Sequence, residues 1–158
     1  MSEKSVFEVT VATYPPLEGH MHAQVLENGK PSNNIIRTDQ NWSVRVDWEL
    51  EGALRPCICG YWCLTLFLES MGPGREFRIP LPHQEDIRIP LDPCKEDGRY
   101  WHEIKVPAHT IKDEDCGIPY KLVVGLTYLD YCERPGPMAG FCELPIVQFY
   151  TDKKQAAH

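Results

Sequence analysis

The chain has 158 residues and a formal net charge of −7, and no run of Lys or Arg exceeds the pair Lys153–Lys154. That balance excludes nucleic-acid binding by counterion release, which needs a basic surface, and it disfavours attraction to an anionic membrane. Hydrophobic residues make up 42% and charged residues 25%, with 14 prolines and 11 glycines, a globular composition better suited to short strands and turns than to helices.

Period-2 alternation dominates from the start. Phe7, Val9 and Val11 alternate with Glu8 and Thr10, and a weaker strand over 20–27 carries Ala23 and Val25. His20 and His22 share one face of it, a spacing that can serve metal ligation, although no third ligand stands nearby in sequence. The clearest strand covers 42–50: Trp42, Val44, Val46, Trp48 and Leu50 form one face, and Ser43, Arg45, Asp47 and Glu49 the other. The next, 61–69, places Trp62, Leu64, Leu66 and Leu68 on one face. Its second face, with Tyr61, Cys63, Thr65 and Phe67, is only half polar.

Met71-Gly72-Pro73-Gly74 closes a turn. Strands over 77–81 and 87–91 follow, and Pro80 and Pro90, which donate no backbone hydrogen bond, mark them as edges. A strand over 100–106 comes next, with Trp101 opposite the Tyr100 and His102 face. Thr110 to Cys116 is read as one short turn. A strong strand covers 120–128 and the last covers 144–150, with Cys132 to Cys142 between them as a loop stiffened by Pro135-Gly136-Pro137. There is no repeat and no linker, so residues 1–158 are read as one domain with flexible tails at 1–4 and 152–158.

Eight or nine short strands with frequent turns predict an all-β, antiparallel sandwich. Tyr120, just after Asp115-Cys116-Gly117-Ile118-Pro119, sits where a tyrosine corner occurs in immunoglobulin-like folds, so an immunoglobulin-like arrangement is expected, without the paired core cysteines of antibody domains. In that topology the loops 51–60 and 129–142 emerge at one end. Cys57, Cys59, Cys132 and Cys142 are then expected towards one rim, where four thiolates could hold zinc or form a redox pair. Cys-x-Cys is not the usual zinc spacing, so packed or free thiols are the competing reading and no cofactor is required.

Familiar catalytic signatures are absent: no Gly-x-Ser-x-Gly, no Gly-Lys-Ser/Thr phosphate loop and no His-Glu-x-x-His. The leading expectation is a non-enzymatic protein-interaction or assembly module, with a protein partner or self-association. Its contact candidates are Met138, Phe141 and Arg134 in the end loop, and Trp101. The alternatives are a metal-thiolate or redox protein and a small-ligand or carbohydrate binder, since exposed Trp or Tyr rings stack on sugars. No basic region followed by an apolar segment opens the chain, and its most apolar run, 57–68, is too short to span a bilayer. The expected location is therefore cytoplasmic, without membrane insertion and with reduced thiols.

Overall fold

A computed structural model describes residues 3–9, 17–81 and 87–152. The strands are β1 (Lys4–Val9), β2 (Glu18–Glu27), β3 (Lys30–Pro31), β4 (Ile35–Arg37), β5 (Trp42–Glu51), β6 (Gly60–Ser70), β7 (Phe77–Arg78), β8 (Ile87–Leu91), β9 (Arg99–Val106), β10 (Pro119–Leu129) and β11 (Pro135–Tyr150). Two sheets face each other. One runs β1-β11-β10-β6-β7, with β8 also on β6 and β4 on β11; the other runs β3-β2-β5-β9. The fold is an all-β sandwich of antiparallel pairs, with one short parallel pair between β4 and β11. The nine expected strands are present, and β3 and β4 are two or three residues long, too short for alternation to reveal.

Alternation places the layers. The even-numbered residues of β5 from Trp42 to Leu50 are buried, as are those of β6 from Trp62 to Leu68 and of β10 from Tyr120 to Tyr128. These three rows meet across the two sheets. At their centre Trp62 packs against Trp48 and Tyr100 of the opposite sheet, at ring distances of 6.2 and 5.9 Å. The indole N–H groups of Trp48 and Trp62 have no hydrogen-bond partner among the described residues. Buried tryptophans usually find one, so this core gains its stability from ring packing and burial.

Among the described residues β7 and β8 pair only with β6, so both are edges; Pro90 lies within β8 and Pro80 just beyond β7. The strand expected over 77–81 is shorter, ending at Arg78. Residues 113–115 form a 3-10 turn, where one short turn was expected. Tyr120 departs from the tyrosine-corner expectation. Its hydroxyl donates to the Asp115 carboxylate at 3.2 Å, not to upstream backbone. Asp115 is buried and also accepts two bonds from Arg75, at 3.1 and 2.8 Å. A buried carboxylate needs those partners, and it takes the hydroxyl that backbone would otherwise have accepted.

Two further corrections concern chain segments. Glu3 and Lys4, expected in a flexible tail, are tied down. Lys4 opens β1, and the Glu3 carboxylate lies 2.5 Å from His22 Nδ1 and accepts a hydrogen bond from Cys142 Sγ. Residues 1–2 and 153–158 of the expected tails, and Val11, lie outside the described residues. The larger correction is that 135–141 is strand. β11 starts at Pro135, so the expected loop from Cys132 to Cys142 reduces to a tight connection over 130–134. Gly136 and Gly140 are why this strand reads as loop. A Cβ at Gly136 would sit 2.0 Å from the Tyr128 ring, and one at Gly140 would sit 2.9 Å from Met21 Sδ. The volume that inward side chains would normally fill is supplied by neighbouring strands.

Candidate functional site

The loops 51–60 and 129–142 were expected to share one end, and their tips do meet. The Tyr128 hydroxyl donates to the Cys59 carbonyl, joining β10 to the segment before β6. Loss of solvent around that phenol pushes its pKa up, so it stays protonated and donating. Asp130 organises the other loop: its carboxylate accepts from the backbone N–H groups of Cys132 and Arg134, at 2.8 and 3.0 Å, and from Arg134 Nε at 3.2 Å. The Arg134 backbone bond leads the causes that hold this carboxyl below its usual range. Arg55 fastens the opposite loop by donating to the carbonyls of Lys95 and Glu96.

Between these loops lies a cleft of about 470 Å³, walled by Leu17, Leu54, Ile58, Tyr128, Pro137 and Met138, with Arg134 also lining it. Cys57, Cys59 and Cys132 line it too. Cys142 does not join them. It sits within β11 opposite Val124, fully buried, and its thiol pKa is pushed up by burial and then by the Glu3 carboxylate. Among the described residues no group of three or more His, Cys, Asp or Glu side chains is placed to hold a metal ion.

The contact candidates separate in the same way. Met138 is only 2% exposed and packs inward, because even-numbered residues of β11 up to Leu144 face the core. Phe141 is exposed on the outer face of β11, far along the strand from the loop in which it was expected. Arg134 remains at the end. Tyr131, which sequence reasoning passed over, is 62% exposed and meets Tyr61 edge to face at 5.6 Å.

The thiols give a direct check on this geometry. Under native conditions the exposed Cys57, Cys94 and Cys132 react first with a thiol-specific reagent, and Cys142 reacts only when the chain unfolds. Labelling mapped by mass spectrometry measures the order, and rapid native labelling of Cys142 would contradict it.

The second site is the outer face of the four-stranded sheet. Register places His22 opposite Asp47, and Asp47 opposite Trp101; the next row holds His20, Glu49 and Arg99. The His20, His22, Asp47, Glu49 and Arg99 side chains line a recess of about 300 Å³. Trp101 stands beside it, 59% exposed. The Arg45 guanidinium lies 4.5 Å from its ring centroid and is itself held by two bonds to Asp47, each 3.2 Å. Arg99 approaches Glu49 at 3.7 Å. The face thus combines a steadied, exposed indole with donors and acceptors that already hold one another in place.

No protein-family model matches this chain, and no curated protein matches it. Among solved structures it is similar to the C-terminal domain of wzt, with a TM-score of 0.58 and 9% identity, over 97% of this chain and 80% of that one. The shared property is the β-sandwich. At that identity the likeness speaks for the fold alone. Among the described residues no helix is long and apolar enough to cross a membrane.

Proposed function

We propose that this chain is a non-enzymatic binding module that takes saccharide on the outer face of its four-stranded sheet. The observation that carries the reading is Trp101, largely exposed beside a recess that mixes His20, His22, Asp47, Glu49 and Arg99 with the apolar Met21, Trp48 and Tyr100. A sugar ring has an apolar C–H face and a rim of hydroxyls. The indole suits the first, while carboxylates, imidazoles and guanidinium suit the second by accepting and donating hydrogen bonds. The Arg45–Asp47 and Glu49–Arg99 pairs hold the polar groups in position before ligand arrives, which lowers the ordering cost of binding. A recess of about 300 Å³ is at the small end of ligand clefts, roughly 300–1,000 Å³, and fits one or two sugar units better than a large apolar ligand.

The test begins with a glycan array, followed by calorimetry on the saccharide that binds. Trp101→Ala weakens that affinity by about tenfold, since covering about 60 Å² of apolar ring at about 25 cal/mol per Å² contributes about 1.5 kcal/mol. The melting temperature stays near wild type because the side chain is outside the core. Absence of any saccharide ligand, or an affinity indifferent to Trp101→Ala, overturns the reading.

The end cleft supports a second reading, a protein-contact end. It rests on an apolar wall topped by exposed Tyr131, an aromatic type enriched at interface hot spots. Tyr131→Ala distinguishes the two, because it leaves saccharide affinity unchanged and weakens capture of a protein partner.

A further inference from the structure

Strand β9 ends its sheet: it pairs with β5, and no other described strand lies against its far side. The Leu50 N–H bonds the Gly98 carbonyl, which fixes the phase of the ladder. Even-numbered residues of β9 therefore direct their backbone groups to β5, and Arg99, Trp101, Glu103 and Lys105 direct theirs outward. Among the described residues nothing bonds the outward backbone groups of Trp101, Glu103 or Lys105, while the Arg99 N–H is taken by Asp97 Oδ1 at 3.2 Å. An eight-residue edge of this kind, without proline or bulge in the strand, is a template for another strand.

We infer that the occupant is a second copy of this chain, its β9 pairing antiparallel with the first about a twofold axis at Trp101. The reason is charge complementarity along the edge. Continuity of the two faces requires outward residues to oppose outward residues, which leaves a few registers. Centring on His102 sets Arg99 against Lys105, and centring on Glu103 sets that carboxylate against itself. Moving the axis to Tyr100 sets Glu103 against Asp97. Centring on Ile104 sets Glu103 against Lys105 but opposes Trp101 to Pro107, which has no N–H to donate, and leaves Arg99 beyond the paired strand. The register centred on Trp101 sets Arg99 against Glu103 and Asp97 against Lys105, each twice by symmetry, and opposes no like charges. One oxygen of Glu103 already accepts from the Ser43 hydroxyl at 2.7 Å, which holds the carboxylate in place and leaves the other oxygen for arginine.

The result is a continuous eight-stranded sheet in which two Trp101 side chains flank the axis on the outer face. The dimer shares Arg99 with the saccharide recess, and it would join the two recesses into one platform suited to a polymer. Strand pairing alone buries little area, so the dimer is concentration-dependent.

Sedimentation equilibrium over a range of protein concentrations tests the pairing. Wild type populates a dimer. Arg99→Glu or Glu103→Arg alone weakens it at least about tenfold, and the double reversal restores it to within about threefold of wild type. Lys105→Glu, facing Asp97, serves as the second single reversal should Glu103→Arg fold poorly, and it too weakens the dimer. A monomer at every concentration overturns the inference, as do a dimer indifferent to the single reversals and a double reversal that fails to restore association. A monomer that still binds saccharide removes the dimer and leaves the saccharide reading intact; a charge-dependent dimer with no saccharide ligand does the opposite.

Discussion

Trp62→Ala lowers the unfolding free energy by about 3–5 kcal/mol, the range for emptying a large aromatic site in a closed core. The side chain is fully buried and touches both layers. Its ring lies 6.1 Å from Phe7 and 6.3 Å from Tyr128 in its own sheet, and 6.2 Å from Trp48 and 5.9 Å from Tyr100 in the other. No single neighbour can move to fill the space, because each belongs to a different strand held by its own ladder. Against a typical stability of about 5–15 kcal/mol, the loss removes about a fifth or more of the folding free energy. Trp62→Phe is the informative companion. It keeps most of the ring packing and deletes an indole N–H that has no partner among the described residues, so it costs well under half as much. Urea unfolding of the three proteins measures both differences. A Trp62→Ala loss below about 1 kcal/mol would show that the two sheets do not depend on this contact.

Gly60→Ala is the second large effect, about 2–4 kcal/mol from strained backbone and a forced displacement together. Gly60 opens β6 with φ +139°, a conformation that side-chain-bearing residues rarely adopt. A Cβ there would lie 2.2 Å from the Leu129 carbonyl oxygen and 3.2 Å from the Asp130 Cα. Both belong to the end of β10 and its following loop, so the added methyl drives the two loops of the end cleft apart. The Tyr128–Cys59 hydrogen bond lies across the same gap and is lost with it. The outcome is therefore a lower melting temperature and faster native labelling of the half-buried Cys59. A destabilised variant whose Cys59 reacts at the wild-type rate would place the strain elsewhere.

The strands that carry the core were legible because their chemistry repeats. Trp42 to Leu50, Trp62 to Leu68 and Tyr120 to Tyr128 alternate without interruption, and a half-buried strand permits nothing else. Pro90 correctly marked β8 as an edge, since a missing N–H is incompatible with a central position, whereas Pro80 falls beyond the end of β7. The same logic failed over 135–141. Gly136 and Gly140 occupy inward positions without bulk there, so the alternation of Met138 and Cys142 was hidden among turn-forming residues. That failure moved Met138 and Cys142 from an expected exposed rim into the interior.

Residue order alone determined the sandwich class and the inward and outward faces of the long strands. It did so because period-2 burial is a local property of the chain. Tertiary structure alone decided which strands lie side by side, and therefore which outward residues become neighbours. Trp101, Arg45, Asp47 and His22 are scattered over 80 positions, and only the β2-β5-β9 register gathers them. Among the described residues the far edge of β9 is likewise open because of where that strand sits in its sheet, and no pattern within Arg99–Val106 could reveal it. Long-range pairing depends on sums of many contacts between distant segments, so the candidate site emerges only once the sheets are assembled.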